Sequence, residues 1–358
     1  MKKVSIIGTV GLPANYGGWE TLTDHLTKSL HKRFELIVYC SGNRYPEKLA
    51  SYNGARLEYV NLNANGAQSI PYDLISMWRS LKTADTILIL GVSGCIFLPF
   101  LKLIGKNKKF IVNIDGLEWR RAKWNGPTKK FLKFSEAVAV RYADVTISDN
   151  KAIQQYITDE YGQDSELIAY GADHVETIAL SDEIANQYPF LKQPYAFKVC
   201  RIEPENNLDM ILEAFGKTDK LPLAIIGNWS NSSYGQALKA KYEEVPHIHL
   251  IDPIYDQQIL NQFRSNCKVY VHGHSAGGTN PSLVEAMYLG LPILAFGVKY
   301  NIATTHEQGK YFDTADELTA LLESLSDDEL AQLGSRMKQV AEQHYTWQRV
   351  ADQYAELF

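Results

Sequence analysis

The feature that most constrains this chain is a rhythm that runs from end to end. Short β-branched and aliphatic runs alternate with amphipathic segments of helix length. The spacing predicts strands at 4–7, 36–40, 87–90, 110–114 and 145–147, then again at 196–199, 223–226, 248–251, 269–271 and 293–295. Between them, residues 20–30, 129–142, 208–215, 257–264 and 281–289 read as helices. Strands apolar on both faces belong to parallel sheets, and parallel neighbours are joined by right-handed crossovers. At 358 residues the chain exceeds what one hydrophobic core serves. Two such series therefore predict an α/β protein with two Rossmann-like, doubly wound domains. The domains are expected at 1–175 and 176–345. The segment SDEIANQYPFLKQP supplies an acidic, proline-punctuated linker, and a closing helix at 346–358 could cross back to the first domain. In open parallel sheets, ligands sit outside the carboxyl ends of the strands, so a cleft between the domains is the expected place for chemistry.

Composition removes several alternatives. With 45% hydrophobic and 22% charged residues, the chain is neither disordered nor fibrous. Cys40, Cys95, Cys200 and Cys267 are far apart and form no CxxC pair, which argues against a disulfide framework or zinc site and for a reducing cytoplasm. The opening MKKVSIIGTVG reads as a first strand entering a glycine loop rather than as a signal peptide. The uncharged run 86–101 is broken by Gly91, Gly94 and Pro99, so it reads as a buried strand followed by a helix, with a shallow membrane contact as the alternative.

The formal net charge of −5 hides an asymmetry. Residues 1–175 carry 22 basic and 17 acidic side chains, whereas residues 176–358 carry 14 and 24. The excess of cations is concentrated in 101–141, with 11 basic and 3 acidic residues. There Arg120, Arg121, Lys123, Lys129, Lys130 and Lys133 interleave with Trp119, Trp124, Phe131 and Phe134. Such a mixture suits an anionic membrane surface, a solvated helix face or single-stranded nucleic acid. The acidic back half would repel phosphate chains, so nucleic acid is not expected as a partner.

Four loops could carry chemistry. GTVGLPANYGGWE, with Gly17 and Gly18, allows close backbone approach to a phosphate or forms a plain strand-to-helix turn; it is not a GxGxxG fingerprint. In HGHSAGGTNPSLVEAM, Gly277, Gly278, Thr279 and Asn280 lead into a helix with Pro281 first, whose N-terminus would favour a diphosphate. Glu285, one turn in, could accept from sugar hydroxyls or stand in solvent. His272 and His274 lack a third ligand for zinc and read as sugar contacts or as structural histidines. In VCRIEPENN, Arg201 could bind phosphate or pair with Glu203 or Glu205. In NIDGLEWRRAKW, Asp115 stands at a strand's carboxyl end, and Asp149 follows the neighbouring strand.

Taken together, YGGWET, NIDGLEWRRAKW, RIEPENN, HGHSAGGTNPSLVEAM and YTWQRVADQYAEL resemble, in order and over nearly the whole chain, the retaining GT-B glycosyltransferases of family 4. The likeness is nearest to bacterial β-1,4-rhamnosyltransferases of capsule and cell-wall polysaccharide. It implies a GT-B fold and a metal-independent hexosyltransferase with no cofactor, at work on the cytoplasmic face of the plasma membrane. The donor would be dTDP-β-L-rhamnose and the acceptor a saccharide on undecaprenyl diphosphate. It further implies that Gly17, Gly18, Arg201, Gly278, Thr279 and Asn280 meet the donor diphosphate and Glu285 the ribose. His274 and Gly277 would lie at the donor sugar, with Asp115, and as a second candidate Asp149, in the catalytic cleft. Two positions depart from the family pattern. Asn206 stands where many members have lysine, and Gly277 stands where many have a sugar-binding glutamate. The second change is consistent with a 6-deoxyhexose such as rhamnose. A UDP- or GDP-sugar donor, or a non-catalytic nucleotide-sugar-binding protein, are the alternatives.

Overall fold

A computed structural model describes residues 1–14, 17–114, 116–121 and 124–358. The chain divides into two units, Met1–Gly171 with Trp347–Phe358, and Ala172–Thr346. The first holds β1 (Lys3–Ile7), β2 (Glu35–Ser41), β3 (Ser51–Tyr52), β4 (Ala55–Val60), β5 (Thr86–Leu90), β6 (Lys109–Asn113), β7 (Val145–Ser148) and β8 (Glu166–Leu167), ordered β3-β4-β2-β1-β5-β6-β7-β8. Every pairing is parallel except β3 with β4. Its helices are α1 (Gly18–Leu30), α2 (Ser69–Thr83), α3 (Leu98–Ile104), α4 (Gly126–Tyr142) and α5 (Lys151–Tyr161). The uncharged run 86–101 thus splits into β5 and the start of α3, a strand followed by a helix. No helix among the described residues is long and apolar enough to cross a membrane.

The second unit is a wholly parallel sheet of β9 (Ala196–Val199), β10 (Leu223–Ile226), β11 (Ile248–Ile251), β12 (Val269–His272), β13 (Ile293–Phe296) and β14 (Lys310–Phe312), ordered β11-β10-β9-β12-β13-β14. Its helices are α6 (Asp182–Gln187), α7 (Leu208–Lys217), α8 (Ser233–Tyr242), α9 (Gln257–Ser265), α10 (Pro281–Tyr288), α11 (Lys299–Thr304), α12 (Ala315–Ser324) and α13 (Asp327–His344). Residues of β9, β10 and β12 form its apolar core with Leu208, Ile211, Leu212 and Phe215 of α7 and Leu318 of α12. The last helix, α14 (Trp347–Leu357), belongs to the first unit. There the Trp347 ring stacks on His25 at 4.0 Å, Tyr354 accepts from Asn113 at 2.9 Å, and the Thr86 hydroxyl donates to the Phe358 carbonyl at 3.0 Å.

What positions the chemistry is where each sheet reverses its winding. In the first unit the chain builds outward from β1 to β2 and then returns to lay β5 on the other side of β1. In the second, β9 to β11 run one way and β12 returns beside β9. The loops after β1 and β5, and after β9 and β12, therefore part at a switch point and leave room for a ligand. The motif loops after β1, β9 and β12 are three of these four.

Candidate functional site

In the second unit, the loops after β9 and β12 are tied into one cradle. The backbone N–H of Ser275 donates to the Glu205 carbonyl at 2.8 Å, and Asn207 Nδ2 donates to the Gly273 carbonyl at 2.9 Å. The approach is so close that a Cβ on Gly273 would collide with the Asn206 carbonyl, which is why glycine stands there. Asn206, the residue in place of the family's lysine, is buried and structural. Its amide donates to the Arg201 carbonyl at 2.9 Å, and its Oδ1 lies 3.3 Å from His274 Nδ1. His274 is held a second way, since Asn301 donates to its carbonyl at 2.8 Å. A Cβ on Gly277 would sit 3.2 Å from His274 Nε2, so these two expected sugar-side residues are neighbours.

Asn280 caps α10, with its Oδ1 accepting from the Ser282 N–H at 3.1 Å and its hydroxyl at 2.8 Å. The Asn280 carbonyl accepts from Leu283 and Val284, and Pro281 has no N–H. Asn280 therefore takes the first-turn donors of its own helix itself. What the helix offers an anion is its positive dipole end and the backbone of the Gly277–Gly278–Thr279 approach. Arg201, whose side chain is 41% exposed, stands 3.6 Å from Glu203 and 3.7 Å from Glu205. It is a paired cation whose carboxylate contacts are long.

Glu285 is neither solvated nor alone. Its Oε2 is 2.8 Å from Arg264 Nη2, and its Oε1 is 3.3 Å from His174 Nε2. Burial raises a carboxyl's pKa, but Arg264 and His174 outweigh it and hold Glu285 below the ordinary glutamate range. Arg264 and His174 lie 21 residues before and 111 residues before Glu285, and neither carries a motif that marks it in the sequence.

In the first unit, Gly17 precedes α1 at φ 143°, a conformation that side chains rarely adopt, and no side chain caps the helix there. Gly18 faces Tyr170, whose hydroxyl would lie 3.3 Å from an added Cβ. Behind this turn sits a residue the motif reading passed over. Glu20 is buried, its Oε1 accepts the Val10 N–H at 3.0 Å, and burial raises its pKa against the pull of backbone N–H groups. A carboxylate three residues into a glycine turn was the available signal. Asp149 is buried after β7, just ahead of Asn150, which caps α5. Asp115 and Lys123 lie outside the described residues.

The basic segment is not a uniform cation face. Arg121 pairs with Glu118 at 2.7 Å, and Lys133 pairs with Glu160 at 2.8 Å, bonds the Tyr156 hydroxyl and lies 4.6 Å over the Trp119 ring. Glu136 anchors this knot, accepting from the hydroxyls of Tyr156 and Tyr161 at 2.7 Å each. Both cations are therefore paired with carboxylates of the same unit. Arg120 is exposed over Trp119, Lys130 is exposed and Lys129 is half-buried. Among the described residues, no group of three His, Cys, Asp or Glu side chains could hold a metal ion.

Comparison with known proteins agrees with this division. Residues 1–173 match a family described as a domain of unknown function (DUF1972), and residues 181–344 match Glycosyl transferases group 1. No curated protein matches the chain. Among solved structures, sucrose-phosphate synthase from Thermosynechococcus elongatus superposes with a TM-score of 0.81 at 15% identity, covering 100% of this chain and 98% of that one. HepE from Anabaena in complex with UDP gives 0.75 at 13% identity, covering 100% and 99%. A glycosyltransferase from Rickettsia africae gives 0.73 at 12% identity, covering 99% and 97%. At such identities the likeness establishes the fold, that of GT-B glycosyltransferases.

Proposed function

We propose, from the premise that residues 181–344 form a glycosyltransferase group 1 domain in a chain of GT-B fold, that the protein transfers L-rhamnose from dTDP-β-L-rhamnose, with retention, to a saccharide on undecaprenyl diphosphate. The observation that carries the donor half is the cradle of the second unit: Arg201 and the capped end of α10 beside Glu285, a partly buried carboxylate whose pKa is lowered by its cationic partners. A diphosphate would draw Arg201 away from its long contacts with Glu203 and Glu205 and lie against the dipole end of α10. Glu285 would accept from the ribose. In the reaction the bond between the anomeric carbon and the diphosphate oxygen breaks, and a bond from that carbon to an acceptor oxygen forms. The acceptor proton passes to the departing diphosphate, so no protein nucleophile is required. Charge grows on the leaving group in the transition state, and Arg201 would stabilise it there.

The acceptor half belongs to the first unit. Phe100, Leu103 and Ile104 of α3 and Phe134 of α4 are exposed, and Lys106, Lys130 and Arg141 on the same stretch of chain are exposed as well. Exposed apolar side chains among cations suit the inner, anionic face of a bacterial plasma membrane, where a lipid-linked acceptor resides.

A second reading keeps the fold and changes the donor to a UDP-sugar. It is favoured by HepE, whose structures hold UDP and UDP-glucose. A mass-spectrometric transfer assay with dTDP-rhamnose, UDP-glucose and GDP-mannose on a synthetic lipid-diphosphate glycoside separates these readings. A mass gain of one deoxyhexose with dTDP-rhamnose alone supports the first. A hexose gained from UDP-glucose selects the second, and nucleotide binding without product from any donor overturns both.

A further inference from the structure

We propose that Arg264 is a positioning residue for nucleotide binding: it holds the carboxylate of Glu285 in place, so that the ribose hydroxyls of a nucleoside diphosphate meet a pre-aimed, ionised acceptor. The inference rests on the donor reading above and adds a residue that no motif marks.

Three observations carry it. Arg264 is 3% exposed on the last turn of α9, so its charge has been taken out of water and needs a partner. Its Nη2 meets Glu285 Oε2 at 2.8 Å, its Nη1 donates to Asn261 Oδ1 at 3.3 Å, and its Nε meets no acceptor. The guanidinium is thus committed to one carboxylate rather than shared among several. Glu285 in turn is 14% exposed at the side chain, so it is not sealed in the core as Arg264 is.

The chemistry follows from the lone pairs. A carboxylate offers about four acceptor sites, and Arg264 with His174 occupies one on each oxygen. The remaining sites are enough for one or two hydroxyl donors. Binding would then cost little reorientation, because the carboxylate is already fixed from behind. Tyr270 of β12 braces the first turn of α10, donating to the Ser282 hydroxyl at 3.0 Å, which donates in turn to the cap Asn280. Arg264 itself needs no contact with the nucleotide.

Calorimetry on the full chain tests this with UDP, which has 2′- and 3′-hydroxyls, dTDP, which has the 3′-hydroxyl alone, and their dideoxy counterparts, which have neither. The wild type should prefer the hydroxyl-bearing member of a pair by about tenfold, the worth of one charge-assisted hydrogen bond. In Arg264→Met that preference should collapse toward one, with dideoxy affinity within about threefold of wild type, as a contact-free positioning role requires. Arg264→Lys should restore part of the preference. Because removing one member of a buried pair can unfold a domain, Glu285→Gln is compared with the double variant Arg264→Met/Glu285→Gln, which buries no lone charge. Both should show the same ratio near one. A wild-type ratio in Arg264→Met overturns the inference but spares the donor reading, as does equal loss of both ligands or a further change caused by Arg264→Met in the Glu285→Gln background. A wild type that binds no nucleoside diphosphate overturns the donor reading and this inference with it.

Discussion

Two glutamates, Glu20 buried and Glu285 partly buried, invite comparison. Glu20 follows the glycine turn after β1, and Glu285 follows the glycine loop after β12; each sits near the start of a helix at a switch point. Their environments push them in opposite directions. Around Glu20 burial dominates, two backbone N–H groups only partly offset it, and the pKa rises. Around Glu285 burial also raises the pKa, but Arg264 and His174 reverse the sign. Asp73 of α2 belongs with Glu20: its Oδ2 accepts from the Gly94 N–H at 3.1 Å, and burial pushes it up to about 8. The same chemical group is prepared as an ionised acceptor in one unit and held toward its neutral form in the other. What differs is a guanidinium and an imidazole placed against the carboxylate.

The sharpest way to break the comparison is to remove the ionised member. Glu285→Ala strands Arg264 in the interior, so urea unfolding should show a loss of about 3–5 kcal/mol, and transfer should fall by tenfold or more. Arg201→Ala should reduce transfer by roughly tenfold, the scale of one lost charge-assisted bond. It should leave stability nearly unchanged, because Arg201 is partly exposed and its contacts with Glu203 and Glu205 are long. Near-wild-type turnover in either variant would argue against the placement of the diphosphate and ribose.

The next effect concerns Asp73. Its folded pKa lies above the unfolded value of 3.8, so its contribution to stability is fully present below that value and is lost as pH rises toward about 8. Asp73→Asn should therefore raise Tm relative to wild type at pH 9 and gain little at pH 4. Each kcal/mol recovered should move Tm by roughly 2–4 °C in a unit of this size. A gain equal at both pH values would sink the assignment. Asn280→Ala removes the α10 cap and should cost about 1 kcal/mol in the second unit. Denaturant unfolding reads that loss, and Asn280→Asp, which keeps the acceptor, should recover it.

The smallest effect sharpens the contrast. Glu20→Gln keeps an acceptor for Val10 and removes a charge that burial disfavours. With a raised folded pKa, its stabilising effect should grow as pH rises above the ordinary glutamate range. Glu285 follows the reverse rule. Its lowered pKa contributes stability at neutral pH that is lost as pH falls through the folded value. Thermal melts of Glu20→Gln and wild type at pH 5 and pH 8 check the sign directly.

Much of the parallel framework was readable from hydrophobic runs alone. Residues 196–199, 223–226 and 248–251 are strands with those same limits, and the neighbouring helices begin or end within a few residues of the expected positions. The strands that escaped notice lie where the pattern fails. β4 alternates buried Ala55 and Leu57 with the charged Arg56 and Glu58, β14 is three residues at an edge, and β8 is two exposed residues. A strand that is half solvated, or too short for a period, leaves little hydrophobic signal. The glycines of the β12–α10 loop and its cap were likewise legible, because their backbone and capping roles are local.

The sequence by itself determined two doubly wound parallel sheets and the loops from which a site can be built, because burial on both faces and the needs of tight turns are written in neighbouring residues. Only the tertiary structure decided the charge states inside those loops. Lys133 was drawn into a pair with Glu160 of another helix, and Glu285 acquired Arg264 from another helix. An ion pair between distant residues depends on which side chains two packed elements bring within about 4 Å, and on how much water that packing removes.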